Sequence, residues 1–363
     1  MSTGTTQDAR TRAAAVRLFP RRGLLRAGRW SLRYDPRAVL VCAALAALTV
    51  CATVLALGTG SYELSPPEVI RTLTGGGPPG AGFVVRDLRL PRALVAVLAG
   101  FGLGTAGAVF QSLTRNPLGS PDIIGFGNGA SAGALVALIV LDAGAPQTAL
   151  GAVCGGLVTA AAVYLLAWRQ GVHGYRLVLV GIGASAVLGA VTSFLYVRAD
   201  IGKAAQAASW LIGSLNARGW SDVRVAALGL VVLVPVVTVY GRRLTMLEMG
   251  DDTAGALGVP AERSRLVLLA AGTGLTAMAV AAAGPVPFVA MAAPQLARRL
   301  TRTPGPNCLP AAWMGALLVA LADLTTQRLT HSSLLPVGVT TGITGGVYLA
   351  WLLLRDRRRM GLP

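Results

Sequence analysis

Apolar residues run in unbroken stretches along this chain rather than in alternation, and polar residues are confined to the short segments between them. Ten such stretches lie near 38–58, 91–111, 122–141, 147–168, 176–197, 224–240, 265–283, 286–302, 309–327 and 337–354. A helix rises about 1.5 Å per residue, so roughly 20 apolar residues cross the roughly 30 Å of hydrocarbon in a bilayer. The pattern therefore predicts an all-α polytopic membrane protein with about ten transmembrane helices. A membrane barrel would instead show segments of about ten residues with alternating polarity. The third and eighth stretches are the weakest of the ten, because glycine and proline interrupt them.

Polar positions set the expected topology. Residues 1–37 are basic and polar and are expected to form a disordered cytoplasmic tail, followed by a transmembrane permease domain over 38–356. Arg21 and Arg22 precede the first apolar stretch, but that stretch has full transmembrane length and is read as an uncleaved first helix. Ten crossings put both termini on one side. Most of the 32 Lys and Arg then fall on the cytoplasmic side of a plasma membrane if the amino terminus lies inside.

Composition narrows the class further. Only 13% of residues are charged against 54% hydrophobic, too few charges to solvate a globular surface of 363 residues. The net charge of +17 raises the possibility of nucleic acid, yet the arginines sit between apolar stretches rather than on one aromatic-studded face, so no nucleic-acid partner is expected. Cys42, Cys51, Cys154 and Cys308 follow no metal-binding spacing. His173 and His331 are the two histidines, expected on opposite membrane faces, so no metal site is assigned and any metal carried travels inside a chelator.

Several motifs need weighing. Gly127, Gly129 and Ala132, and again Gly181, Gly183 and Ala186, fit the dinucleotide fingerprint G-x-G-x-x-A. That fingerprint needs a preceding strand and a solvent-exposed helix start, whereas these glycines lie in or beside membrane spans. Close helix packing explains them, as it does the rows Gly125, Gly129, Gly133 and Gly100, Gly104. No phosphate-binding G-x-x-x-x-G-K-[ST] occurs, and the single lysine, Lys203, falls in an expected external loop, so this chain binds no nucleotide cofactor itself. Asp323 lies in an apolar stretch, where an ionisable group costs at least about 2.5 kcal/mol and marks a functional candidate. The structural alternative is local pairing with Arg328. Residues 244–260 are polar with helical periodicity, which makes them either a solvated connector or a docking surface for a soluble partner.

Five segments, in order, carry a resemblance to a known family. They are Arg89-Leu90-Pro91-Arg92 with the Ala/Gly helix that follows and the N-P-L-x-x-P turn at Asn116–Pro121; Leu257–Pro260; Gly284–Leu300; Ala322-Asp323; and Leu335–Gly338. The chain resembles the FecCD-type iron-siderophore and vitamin B12 permeases of ABC importers, over about 64–354. The resemblance implies a type II (BtuC-like) permease fold. It also implies two permease subunits, two cytoplasmic ATPase subunits that use ATP and Mg, an external substrate-binding lipoprotein, and a ferric siderophore as cargo. Arg89, Arg92 and Arg328 match positions that dock the binding protein, and Gly250, Ala254, Leu257 and Gly258 match the coupling helices that grip the ATPase. Asn116, Pro117, Gly127, Asn128, Pro294, Gln295 and Asp323 are the channel and gating candidates. The expected path is lined by the second span with parts of the fifth, eighth and tenth.

Three positions depart from the family pattern: Gln295 stands for the usual His, Ala290 for the usual Gly, and Gly346-Val347-Tyr348 replaces a G-x-P-x-F ending. They point toward a catechol or hydroxamate siderophore branch rather than cobalamin. Cobalamin and haem remain alternative cargoes. An ion-coupled secondary transporter is the rival from another class, resting on Asp323, and an intramembrane enzyme lacks a nucleophile and base that share one bilayer plane.

Overall fold

The computed structural model describes residues 23–27, 30–122, 125–168, 174–329 and 335–360. The chain is a bundle of helices preceded by one antiparallel hairpin, β1 (Gly23–Ala27) and β2 (Trp30–Tyr34). That hairpin differs from the structureless tail expected over 1–37, and residues 1–22 lie outside the described residues.

The helices are α1 (Pro36–Gly58), α2 (Pro66–Leu73), α3 (Leu90–Thr114), α4 (Phe126–Leu135), α5 (Ala145–Ala167), α6 (Gly174–Arg198) and α7 (Ile201–Leu211). They continue as α8 (Trp220–Glu248), α9 (Asp251–Ala256), α10 (Ala261–Ala283), α11 (Val289–Thr301), α12 (Cys308–Leu329) and α13 (Val337–Met360). Each of the ten apolar stretches coincides with one of these helices. Among the described residues, seven spans are long and apolar enough to cross a bilayer: α1, the unit Ala81–Thr114 containing α3, α5, α6, α8, α10 and α12. The two stretches expected to be weak are short: α4 has 10 residues and runs on through a π-helical Val136–Val140, and α11 has 13. Lys203, expected in a loop, sits on α7 and pairs with Asp142 at 2.8 Å.

α3 is the spine of the bundle. It packs against α12 most extensively and also against α8, α10 and α11. Its small residues are the reason. A methyl added at Gly100 or Gly104 would strike the backbone carbonyl of Gly315 or Ala311 on α12, and one at Gly107 would strike that of Ala290 on α11. Pro294 lies inside α11 and has no N–H to offer the carbonyl four residues earlier, which is that of Ala290. The bare backbone of Gly107 therefore approaches a carbonyl to which Pro294 cannot donate. α4 and α5 meet in the same way through Gly129 and Gly133 against Gly151 and Gly155. Without a hydrophobic force between helices in lipid, such close backbone approach is the main source of association.

This packing corrects one expectation. The second span was expected to line a path, but 78% of its apolar window is buried inside the chain. The fifth span, α6, is the least covered at 11%, and its Tyr175, Ile182, Val187, Phe194 and Val197 are exposed.

Candidate functional sites at the two ends of the bundle

Ends of α1 and α12 and the start of α3 meet at one end of the bundle. There Arg92, in the first turn of α3, donates from Nε and Nη2 to Asp323 Oδ1 on α12, at 3.0 and 2.7 Å. Its third nitrogen, Nη1, donates to Asn216 Oδ1 at 2.8 Å. Gln327, one turn beyond Asp323, donates to the other carboxylate oxygen at 2.7 Å. Asp323 is 1% exposed, so this is a buried charge with its partners in place. The expected local pairing of Asp323 with Arg328 is thus corrected: the partner is Arg92, brought from another helix. A carboxylate already neutralised in this way gives no support to an ion-coupling site.

Arg92 therefore spends its donors inside the protein and is not a free docking cation. Arg89 is half-buried and donates to the Leu57 carbonyl at the end of α1, at 2.8 Å. Arg328 is exposed. Two adjoining cavities of 830 and 540 Å³ share Thr59, Gly60, Ser61 and Gln327; Arg328 lines the first, and Arg89 with Arg92 lines the second. Arg218 lines the second cavity too, with Asp222 3.6 Å away. Sequence reasoning missed Asn216, Arg218 and Gln327. The polar cluster Asn216-Ala217-Arg218-Gly219 ahead of α8 is the one signal that pointed there.

At the opposite end, α3 stops at Arg115, which adopts the left-handed conformation (φ 51°). Its guanidinium reaches Leu247 O at the end of α8 (3.1 Å) and Asp251 Oδ1 at the start of α9 (2.7 Å). Arg265 on α10 donates to the same oxygen at 2.7 Å and lies 3.3 Å from Glu262, which accepts from Tyr164 of α5 at 3.0 Å. Gly250 makes the turn between α8 and α9 at φ 114°, a conformation that side chains other than hydrogen resist. Ala254 is fully buried in the core, whereas Leu257 and Met249 are exposed at 57% and 67%. Of the four coupling candidates, Ala254 is thus an inward packing residue, Gly250 and Gly258 shape the turns, and Leu257 offers surface.

The channel candidates divide into four places. Asn116, Pro117 and Gln295 meet just beyond α3: Gln295 Nε2 donates to Gln111 Oε1 at 2.7 Å and to Pro117 O at 3.1 Å, and Gln111 passes the chain on to Met291 O at 2.9 Å. Asn116 caps its own turn by accepting from the Leu118 N–H. Gly127 and Asn128 stand on α4, where Asn128 donates to Ser185 O of α6 at 3.4 Å. Asp323 is in the cluster at the other end, and Pro294 is buried in α11. His173 and His331 lie outside the described residues.

Comparison with known proteins places this architecture. The family model of the FecCD transport family matches residues 48–355. The chain belongs to the FecCD transport family. This FecCD chain is 43% identical to the ferric enterobactin transport system permease FepG of Escherichia coli K12, over 89% of its own length and 98% of that protein's. It is 38% identical to the achromobactin transport system permease CbrC of Dickeya dadantii, over 86% and 91%. A solved metal-chelate type ABC transporter in an inward-facing conformation superimposes with a TM-score of 0.79 at 27% identity, covering 87% of this chain and 99% of that one. The protein is accordingly a multi-pass membrane permease subunit of an ABC transporter, with the fold that the order of its motifs implied.

Proposed function

We propose that this FecCD chain carries a ferric siderophore inward across the cytoplasmic membrane. The observation that supports this is the near full-length match to a permease named for ferric enterobactin. In this reading the amino terminus is cytoplasmic, so the Arg92–Asp323 end faces outward and the α9 end faces the cytosol.

The outward cavities receive the binding lipoprotein, with exposed Arg328 and half-buried Arg89 at their rims. Exposed cations of this kind chiefly set orientation and association rate rather than affinity. On the cytosolic side two ATPase subunits, which bind ATP and Mg, press on the surface that Met249, Leu257 and Gly258 present. Arg115 and Asp251 connect that surface to α3, so closure of the ATPases biases which packing of the bundle is populated rather than driving a chemical step. A second permease subunit, identical or related, sits against exposed α6 and completes the path. The Gln111–Gln295 amide chain, joined to Pro117, sits where the inner end of that path would narrow.

The experiment is uptake of iron-55-labelled ferric enterobactin into proteoliposomes that hold the permease with its ATPase and binding protein. Uptake is expected to need ATP inside and to survive an uncoupler. Uptake that persists with an inactive ATPase but collapses with the uncoupler refutes the reading, as does transport of cobalamin or haem in place of the ferric chelate.

A further inference from the structure

Beside the Arg115–Asp251 contact lies a separate pocket of 330 Å³, lined by Ser112 and Arg115 of α3's end, Asn116, Glu248, Arg298 and Gly305. Two of its side chains are anomalous. Arg298 Nε and Nη2 are buried and have no hydrogen-bond partner, and neither has Ser112 Oγ. Ser112 is 1% exposed. Buried polar groups in native structures are nearly always satisfied, so unpaired ones on two residues that line the same cavity need an explanation.

The two empty nitrogens of Arg298 form the side-on edge of its guanidinium, the same edge with which Arg92 grips Asp323 at the other end. That edge presents two parallel N–H bonds matched in spacing to two oxygens of one anion. The Ser112 hydroxyl is a third donor. A carboxylate is satisfied by the edge alone, whereas a tetrahedral oxyanion has a further oxygen for the hydroxyl. Arg115 is already paired with Asp251, whereas no contact with Glu248, the carboxylate of the lining, satisfies Arg298.

We propose that this pocket is a binding site for a phosphate-class oxyanion, held by Arg298 and Ser112. It differs from the ATPase surface of α9, and the ligand is either free phosphate or the headgroup of an anionic phospholipid.

The test uses the full chain in detergent and in nanodiscs, with inorganic phosphate labelled with phosphorus-32 as probe and chloride at equal ionic strength as control. Saturable phosphate binding is expected, weakened about tenfold or more in Arg298→Gln, where a charge-assisted pair of hydrogen bonds is lost. Ser112→Ala is expected to weaken it by a smaller factor, and Arg302→Gln to leave it unchanged. Arg298→Lys keeps the charge but removes the two-donor edge, so it should bind poorly while folding normally, which covers the case in which the Gln variant does not fold. If the source is lipid, nanodiscs of phosphatidylglycerol, but not phosphatidylcholine, should block phosphate binding. No saturable binding in either medium overturns the proposal, as does binding unchanged in both Arg298 variants. Binding that appears only in Glu248→Gln overturns it too, because Glu248 would then fill the edge. Loss of ATPase association in Arg298→Lys without any phosphate binding assigns the edge to a protein carboxylate and equally overturns it.

Discussion

Arg92 tests whether a residue matching a docking position has instead been drawn into the bundle. Asp323 is 1% exposed and accepts both guanidinium bonds on one oxygen, while the Arg92 side chain retains 15% exposure. Removing one member of a buried pair leaves the other charge without compensation and costs about 3–5 kcal/mol. Arg92→Met strands the carboxylate with Gln327 as its remaining donor, and the partial exposure of the site puts the expected loss at the lower end, about 3 kcal/mol. Asp323→Leu strands Arg92, which keeps Asn216 and some water, for a loss of about 2–3 kcal/mol. The double variant replaces the pair with apolar groups of similar volume and should return to within about 1 kcal/mol of the native protein. The assay is denaturation of the purified permease in mixed micelles followed by tryptophan fluorescence, run as a double-mutant cycle with an expected coupling of several kcal/mol. Additive losses in the double variant would refute the reasoning. So would an Arg92→Met variant of native stability that binds the proposed partner lipoprotein weakly and in a salt-dependent way, since that is the behaviour of a free docking cation.

Other positions carry sharper single tests. Gly107→Ala drives a methyl into the Ala290 carbonyl and should cost about 1–3 kcal/mol in the same unfolding assay, whereas Gly183→Ala on α6 meets no neighbour and should stabilise the isolated chain by up to about 1 kcal/mol. Gln295→His exchanges an amide that donates to both Gln111 and Pro117 for a ring with fewer donors, and should cost about 0.5–1.5 kcal/mol in the same unfolding assay. Glu68 accepts from both Ser65 Oγ (2.6 Å) and Ser65 N (2.8 Å) at the start of α2, and these bonds hold its carboxyl below the ordinary range. Because that value is lowered, its contribution is present above the unfolded-state value and is lost as pH falls through the folded one, so acid should loosen α2 in the native protein and leave Glu68→Gln, which has no such titration, unaffected.

How much of this was legible in the sequence depends on the range of the interaction. The apolar stretches announced the helices, and the rows Gly100, Gly104 and Gly129, Gly133 announced the close contacts, because both signals repeat within a helix turn or two. The start of α2 went unread, although Ser65-Pro66-Pro67-Glu68 is a capping box with proline in the first turn. Arg92 and Asp323 were each visible as candidates, but 231 residues separate them, and no local pattern tells an arginine that it will meet one aspartate rather than another. The inward position of Ala254 was hidden for a related reason. A six-residue helix such as α9 shows too few turns for its buried face to be read, so a packing residue and a docking residue look alike.

The placement of α3 constrains where motion in this permease arises. One end is held by Arg92 to α12 and to Asn216, the other by Arg115 to the ends of α8 and α9, and the middle presses backbone on backbone against α11 and α12. Packed interfaces of this kind have discrete arrangements rather than graded ones, and displacing α3 would break two ion pairs and several close carbonyl contacts together. The Gly- and Ala-rich composition of the span expected to line the path is the same property that lets α3 sink into the bundle and become its least movable member. Rearrangement is cheaper where fewer contacts are lost, and that points to α6, the least covered of the long apolar spans described. In the proposed reading, a path that opens and closes against a second subunit is therefore better served by α6, with α3 as the fixed frame between the two ends of the bundle.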